Sequence, residues 1–166
     1  MSRRSPKPEA RPSESPYIAA LKMLGRRELS ERQVRERLAR KGHDQDAIDD
    51  AVRRLKEERA IDDSRVAEAI ARTETAVKRR GKLRVRRQME SAGIAPDVAR
   101  TALDGVFEQV DDEALLQAAL ARRLRGNRTI QDDREFQRLY RYLTAQGFES
   151  DRILKALKAR RGPADD

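Results

Sequence analysis

One short pattern occurs three times in this chain and limits what it can fold into. Val34 and Leu38, Val85 and Met89, and Leu139 and Leu143 are apolar pairs at i and i+4, and a glycine (Gly42, Gly93, Gly147) stands four residues after each pair. That spacing sets both side chains on one face of a helix, and a glycine so placed suits the helix C-terminus, where a left-handed residue helps satisfy the last carbonyls. The register continues beyond the turn. Asp46, Asp97 and Asp151 each fall four residues after the glycine, where the first turn of a new helix favours negative charge. Ala51-Val52, Ala102-Leu103 and Ala156-Leu157 then follow in matching order. A period of about 50 residues belongs to architectures that repeat one supersecondary unit.

The expected fold is all-α, an elongated array of three tandem three-helix repeats. Aromatic residues are 4% of the chain and Trp is absent, while Ala, Leu, Arg, Glu and Gln dominate, a composition that favours helix over strand. A single repeat is too small to build a sufficient core, so stacking of neighbours is the expected source of stability. Residues 1–15 form an expected disordered basic tail, with Arg3, Arg4, Lys7 and Arg11 among prolines and serines and almost nothing apolar. Repeat one is placed at 16–60, repeat two at 61–109, repeat three at 110–161 and a C-terminal tail at 162–166.

Within repeat one, Pro16 opens a helix through Tyr17, Leu21 and Leu24, and Ser30 with Gln33 has the form of a capping box. After Gly42 a third helix carries Ile48, Ala51, Val52 and Leu55. In repeat two Val66, Ile70, Thr73 and Val77 recur at helical spacing, then the Val85 and Met89 helix, then a third that offers Val98, Ala102, Leu103 and Val106 to the core. Repeat three reads as Leu115, Leu116, Ala119, Leu120 and Leu124, a break at Gly126-Asn127-Arg128, then Phe136, Leu139, Tyr140 and Leu143, and last Ile153, Leu154 and Leu157 before Gly162-Pro163.

The residues suited to catalysis are few. There is no cysteine, so no disulfide and no thiolate metal site is expected. His43 is the one histidine and follows Gly42 at a turn, where a surface role is expected. Asp62-Asp63, Asp111-Asp112 and Asp132-Asp133 each precede a helical pattern, so capping of free backbone amides is expected there and not a cation site. No phosphate loop, dinucleotide fingerprint or nucleophile elbow is present. The chain therefore reads as a non-enzyme with no cofactor. It has no apolar run long enough to span a bilayer and no signal-peptide core, and the expected location is cytoplasmic.

Charge is the feature that points to a partner. The formal net charge is +9, which favours an anionic partner such as nucleic acid. Lys78, Arg79, Arg80, Lys82, Arg84, Arg86 and Arg87 lie within ten positions, and between Arg65 and Arg100 ten bases stand against four acids. These seven residues are the candidate partner-binding and nucleic-acid-binding site. On a helical wheel Val85, Met89 and Ala92 share one face and leave Lys82, Arg84, Arg86 and Arg87 on the rest of the surface. No aromatic interleaves with them, which argues against a stacking platform and for an electrostatic grip with little sequence preference.

Two blocks resemble the RecX family of regulators of the bacterial recombinase RecA. One is Leu24-Gly25-Arg26-Arg27-Glu28-Leu29-Ser30 with Val34, Leu38 and Gly42. The other runs from Leu55 through Ile61-Asp62-Asp63-Ser64-Arg65-Val66-Ala67 to Arg80-Gly81, Val85, Met89 and Gly93-Ile94. The order and spacing of these loose motifs carry the resemblance. Ala60 and Val66 stand where the family commonly has aromatics, and Met89 where leucine is more usual. The resemblance implies a non-enzymatic protein that binds RecA and its DNA filament and restrains ATP hydrolysis, strand exchange and filament growth. A monomer is expected, with single- and double-stranded DNA as electrostatic, non-specific partners beside the RecA filament. Two other readings follow from the residues alone: a general, sequence-nonspecific DNA-binding helical protein, and an adaptor whose concave face receives a partner helix.

Overall fold

The structure, a computed structural model, describes residues 14–125 and 128–161. Among them are nine α-helices and no strand, with one isolated bridge between Ile130 and Arg161. In chain order they are α1 (Pro16–Leu24), α2 (Glu31–Arg40), α3 (Gln45–Glu57), α4 (Asp63–Arg72), α5 (Lys82–Ala92), α6 (Pro96–Phe107), α7 (Asp112–Leu124), α8 (Asp133–Gln146) and α9 (Ser150–Ala159). Thr73–Val77 prolongs α4 as a π-helical turn. Most of the expected basic tail, the Gly126-Asn127 break and the Gly162-Pro163 stop lie outside the described residues.

The helices bury their apolar faces in three clusters. Ala19, Leu29, Val34, Leu38, Ile48, Val52 and Leu55 form the first, which Ile61 also joins. Val66, Ala67, Val85, Met89, Ile94 and Leu103 lie in the second, and Leu116, Leu120, Leu139, Leu143, Phe148, Ile153 and Leu157 in the third. The chain divides into two compact units, one ending at Asp63 and one beginning at Ser64, so the second and third clusters share a unit.

The repeated glycine has the same job each time. Gly42, Gly93 and Gly147 have φ of +83°, +80° and +94°, the left-handed region in which a side chain costs energy. The next residue then donates its N–H back across the helix end: His43 to Leu38 O at 3.3 Å, Ile94 to Met89 O at 3.1 Å and Phe148 to Leu143 O at 3.3 Å. The glycines donate to Ala39, Glu90 and Thr144, which completes three Schellman turns in register. This explains the single histidine, which holds the position taken by Ile94 and Phe148 in the other repeats.

Side-chain caps fix the other helix ends. Ser30 and Gln33 form the expected capping box of α2. Asp111 Oδ1 accepts from Ala114 N at 2.9 Å and Asp132 Oδ1 from Glu135 N at 2.7 Å, as expected of those pairs. Asp63 differs: its Oδ1 accepts from Glu31 N at 2.9 Å, so it satisfies the first residue of α2.

Two apolar stripes depart from expectation. In α1 the buried residues are Ala19 and Ala20, flanked by Tyr17, Met23 and Leu24, while Leu21 is 36% exposed. Small side chains there let α1 approach α2 and α3 closely. After α4 the π-helical turn adds a residue and rotates the later side chains by about 100°. Glu74 and Thr75 are thereby buried, and Val77, expected on the apolar stripe, is 75% exposed.

The start of α5 meets the end of α8 backbone to backbone. Gly81 N donates to Gln146 O at 3.0 Å and Leu83 N to Gly147 O at 3.1 Å. The free amides at the head of α5 thus find the free carbonyls at the tail of α8, with helix-end partial charges of opposite sign in contact. A Cβ at Gly147 would stand 2.2 Å from Arg84 N, and one at Gly81 would stand 2.5 Å from Gly147 O. At Gly42 a Cβ would meet nothing within 4 Å. Gly42→Ala should therefore cost only the left-handed penalty, about 1–2 kcal/mol. Gly147→Ala should cost about 1–3 kcal/mol more for overpacking. Urea unfolding of both variants checks this, and equal losses would contradict the junction.

Candidate nucleic-acid interface

The seven candidate bases are positioned by two elements. Lys78, Arg79 and Arg80 follow the π-helical turn, and Lys82, Arg84, Arg86 and Arg87 ride on α5. Their fates differ because acids from inside and outside the cluster reach some of them. Glu74, 4% exposed in its side chain, accepts from Lys78 Nζ through Oε1 at 2.5 Å and from Arg80 Nη1 through Oε2 at 2.7 Å. The π-helical turn that buries Glu74 is what brings it under both cations. Lys82 Nζ donates to Asp104 Oδ1 on α6 at 2.9 Å and lies 5.9 Å from the centroid of the Phe107 ring. That hydrogen bond holds the Asp104 carboxyl below its ordinary pKa, with the Lys82 charge adding to it and Arg100 and Arg86 contributing further.

Arg79, Arg84, Arg86 and Arg87 make no side-chain hydrogen bond or ion pair among the described residues. Arg79 is exposed and left-handed, with φ +53°. Arg86 and Arg87 are exposed, and Arg84 is half-buried beside Gly147. At 100° per residue Arg87 stands opposite the buried Val85, Met89 and Ala92, with Arg84 and Arg86 on its two flanks. Leu83, 36% exposed, lies between Arg86 and Arg87 on the wheel. The face thus combines unneutralised arginines with one apolar side chain, and its full charge is smaller than the sequence count suggests.

The second unit also holds an open cavity of about 760 Å³ between α4 and α6, lined by Ser64, Glu68, Thr75, Val98 and Val106 among others. Thr75 Oγ1 is buried there without a hydrogen-bond partner among the described residues. Nearby, burial pushes the Asp112 carboxyl above its ordinary pKa against the pull of Arg152, whose Nη1 lies 3.0 Å from Oδ2. Among the described residues no cluster of three or more His, Cys, Asp or Glu is arranged to hold a metal ion. No helix among them is long and apolar enough to cross a membrane.

Residues 17–55 match the family model for the first three-helix domain of RecX, and residues 62–103 that for the second. The chain is 32% identical over 148 residues to the regulatory protein RecX of Halorhodospira halophila, covering 89% of each chain. It is 32% identical over 140 residues to the regulatory protein RecX of Syntrophotalea carbinolica, covering 84% of this chain and 92% of that one. The crystal structure of RecX from Lactobacillus salivarius superposes with a TM-score of 0.65 at 22% identity, over 87% of this chain and 95% of the other. That likeness is one of fold.

Removal of the charge on Glu74 tests how its two cations are held. Glu74→Gln keeps the shape but loses charge-assisted hydrogen bonds worth about 1.5–3 kcal/mol. The expected outcome is a lower urea midpoint with an unchanged slope. An unaltered midpoint would show that Lys78 and Arg80 owe nothing to it.

Proposed function

The chain belongs to the RecX family of regulatory proteins, and from that premise we propose that it binds the RecA recombinase on its DNA filament and restrains it. It does so by binding and not by catalysis, as a monomer in the cytoplasm, and without a cofactor. The restrained steps are ATP hydrolysis, strand exchange and filament growth. Family membership carries this reading. The α5 face supports it with Arg84, Arg86 and Arg87, whose planar guanidinium groups suit phosphate and carboxylate alike. Lys78, Arg80 and Lys82 serve chiefly to hold that face in place through Glu74 and Asp104, and Arg79 adds an exposed charge at its edge.

The second reading, general sequence-nonspecific DNA binding, is favoured by the same four unneutralised arginines. If all four met duplex phosphates, log affinity would fall against log salt with a slope of about −4.

Co-sedimentation with RecA filaments on single-stranded DNA tests the proposal. The parent protein should pellet with filaments, and a folded Arg84→Glu/Arg86→Glu/Arg87→Glu variant should bind at least about tenfold more weakly, equivalent to 1.4 kcal/mol or more. Failure of the parent to pellet would overturn the RecA reading. Unchanged binding by the variant would remove α5 as the contact.

A further inference from the structure

A second group of bases lies in the third cluster's part of the chain, and its chemistry is more selective. Between Glu113 and Asp132 the sequence has no acid, and Arg122, Arg123, Arg125 and Arg128 fall in that stretch. The fold brings Arg138 of α8 to the same place, where a groove of about 600 Å³ is lined by these five arginines and Leu124. Leu124 is 1% exposed and offers the groove almost no apolar surface.

One buried carboxylate organises the wall. Glu135, 7% exposed, receives Arg128 Nη2 and, at 3.4 Å, Arg138 Nη2 on Oε1, and Gln131 N at 3.0 Å on Oε2. Arg123 lies over the Tyr142 ring, 5.1 Å from its centroid, a cation–π contact that steadies the guanidinium without cancelling its charge. Arg122 and Arg125 make no side-chain hydrogen bond or ion pair among the described residues. Arg125 ends α7 with φ +54°, a left-handed conformation that strains an ordinary side chain and that glycine would adopt freely.

We infer that this groove binds the phosphate groups of a nucleic-acid backbone. Arginine side chains only donate hydrogen bonds, the groove lining holds no carboxylate, and Glu135, which Arg128 and Arg138 reach, already receives three donors. A ligand must therefore bring acceptors and negative charge but no donors that need partners. A phosphodiester backbone meets that condition, and arginine forks fit its oxygens two at a time. An acidic peptide also brings carboxylates that arginine forks fit, but its backbone N–H groups would find no acceptor in this lining, so the phosphodiester backbone is the better match. This site is separate from the α5 face and does not depend on RecA.

The test is binding of a fluorescent single-stranded oligonucleotide, without recombinase, across a salt series. Arg122, Arg123 and Arg125, the three guanidinium groups outside the Glu135 pairs, predict a slope of about −2 on a single strand. Arg125→Gly retains the left-handed turn, so it should fold at least as stably as the parent while weakening binding about threefold to tenfold. Arg122→Ala/Arg123→Ala/Arg125→Gly should bind at least tenfold more weakly, with a slope shallower by about 2. Parent-like affinity and slope in a folded triple variant would overturn the inference. So would displacement of the oligonucleotide by polyglutamate as readily as by an equally charged polyphosphate. Because RecA is absent from the assay, failure here is distinguishable from failure of the filament reading.

Discussion

The contact between Leu83 N and Gly147 O, 3.1 Å long, joins two helices that belong to different hydrophobic clusters of one compact unit. Neither cluster is large, and each helix end would otherwise expose unsatisfied backbone groups. Two glycines make the contact possible, since a Cβ on either would overlap the opposing backbone. The placement of α5 follows from it. Arg84 sits against Gly147, and the charges beyond Arg84 on the helix are carried outward from that anchored start.

The distribution of charge shows a common device. In each part of the chain a carboxylate of limited exposure holds two cations: Glu31 takes Arg35 at 2.9 Å and Lys56 at 2.6 Å, Glu74 takes Lys78 and Arg80, and Glu135 takes Arg128 and Arg138. Around Glu31, burial raises the carboxyl, but the hydrogen bonds from Lys56 and Arg35 outweigh it and leave its pKa below the ordinary value. Such pairs fix long side chains in place at the expense of net attraction for a partner. The arginines outside them, on α5 and along the groove between α7 and α8, are the ones whose charge remains available to a ligand.

Much of this was legible in the sequence because repetition amplifies weak local signals. The i,i+4 pairs, the glycine turns, the Ser30–Gln33 box and the Asp111 and Asp132 caps are all written in residues that act on their immediate neighbours. What escaped was set at longer range or by an inserted residue. Apolar periodicity assumes an unbroken α-helix, so it assigned Val77 to the core and gave no sign that Glu74 would be buried. The π-helical turn exposes the one and buries the other. The cluster from Lys78 to Arg87 looked uniformly free because Asp104, which takes Lys82, is distant in sequence. The arginine groove was hidden for the same reason: Arg138 joins the others only when α8 packs on α7. An acid-free stretch after Glu113 was the one available clue.

The central claim is that this chain restrains RecA on its filament, and the most direct measurement is the rate of ATP hydrolysis by RecA on single-stranded DNA as the protein is added. The account predicts inhibition at fewer molecules of this protein than of RecA, at concentrations too low to saturate the same DNA without RecA. Inhibition that appears only as bare DNA becomes saturated would contradict it, and would mean that the arginines compete for phosphate without engaging the filament.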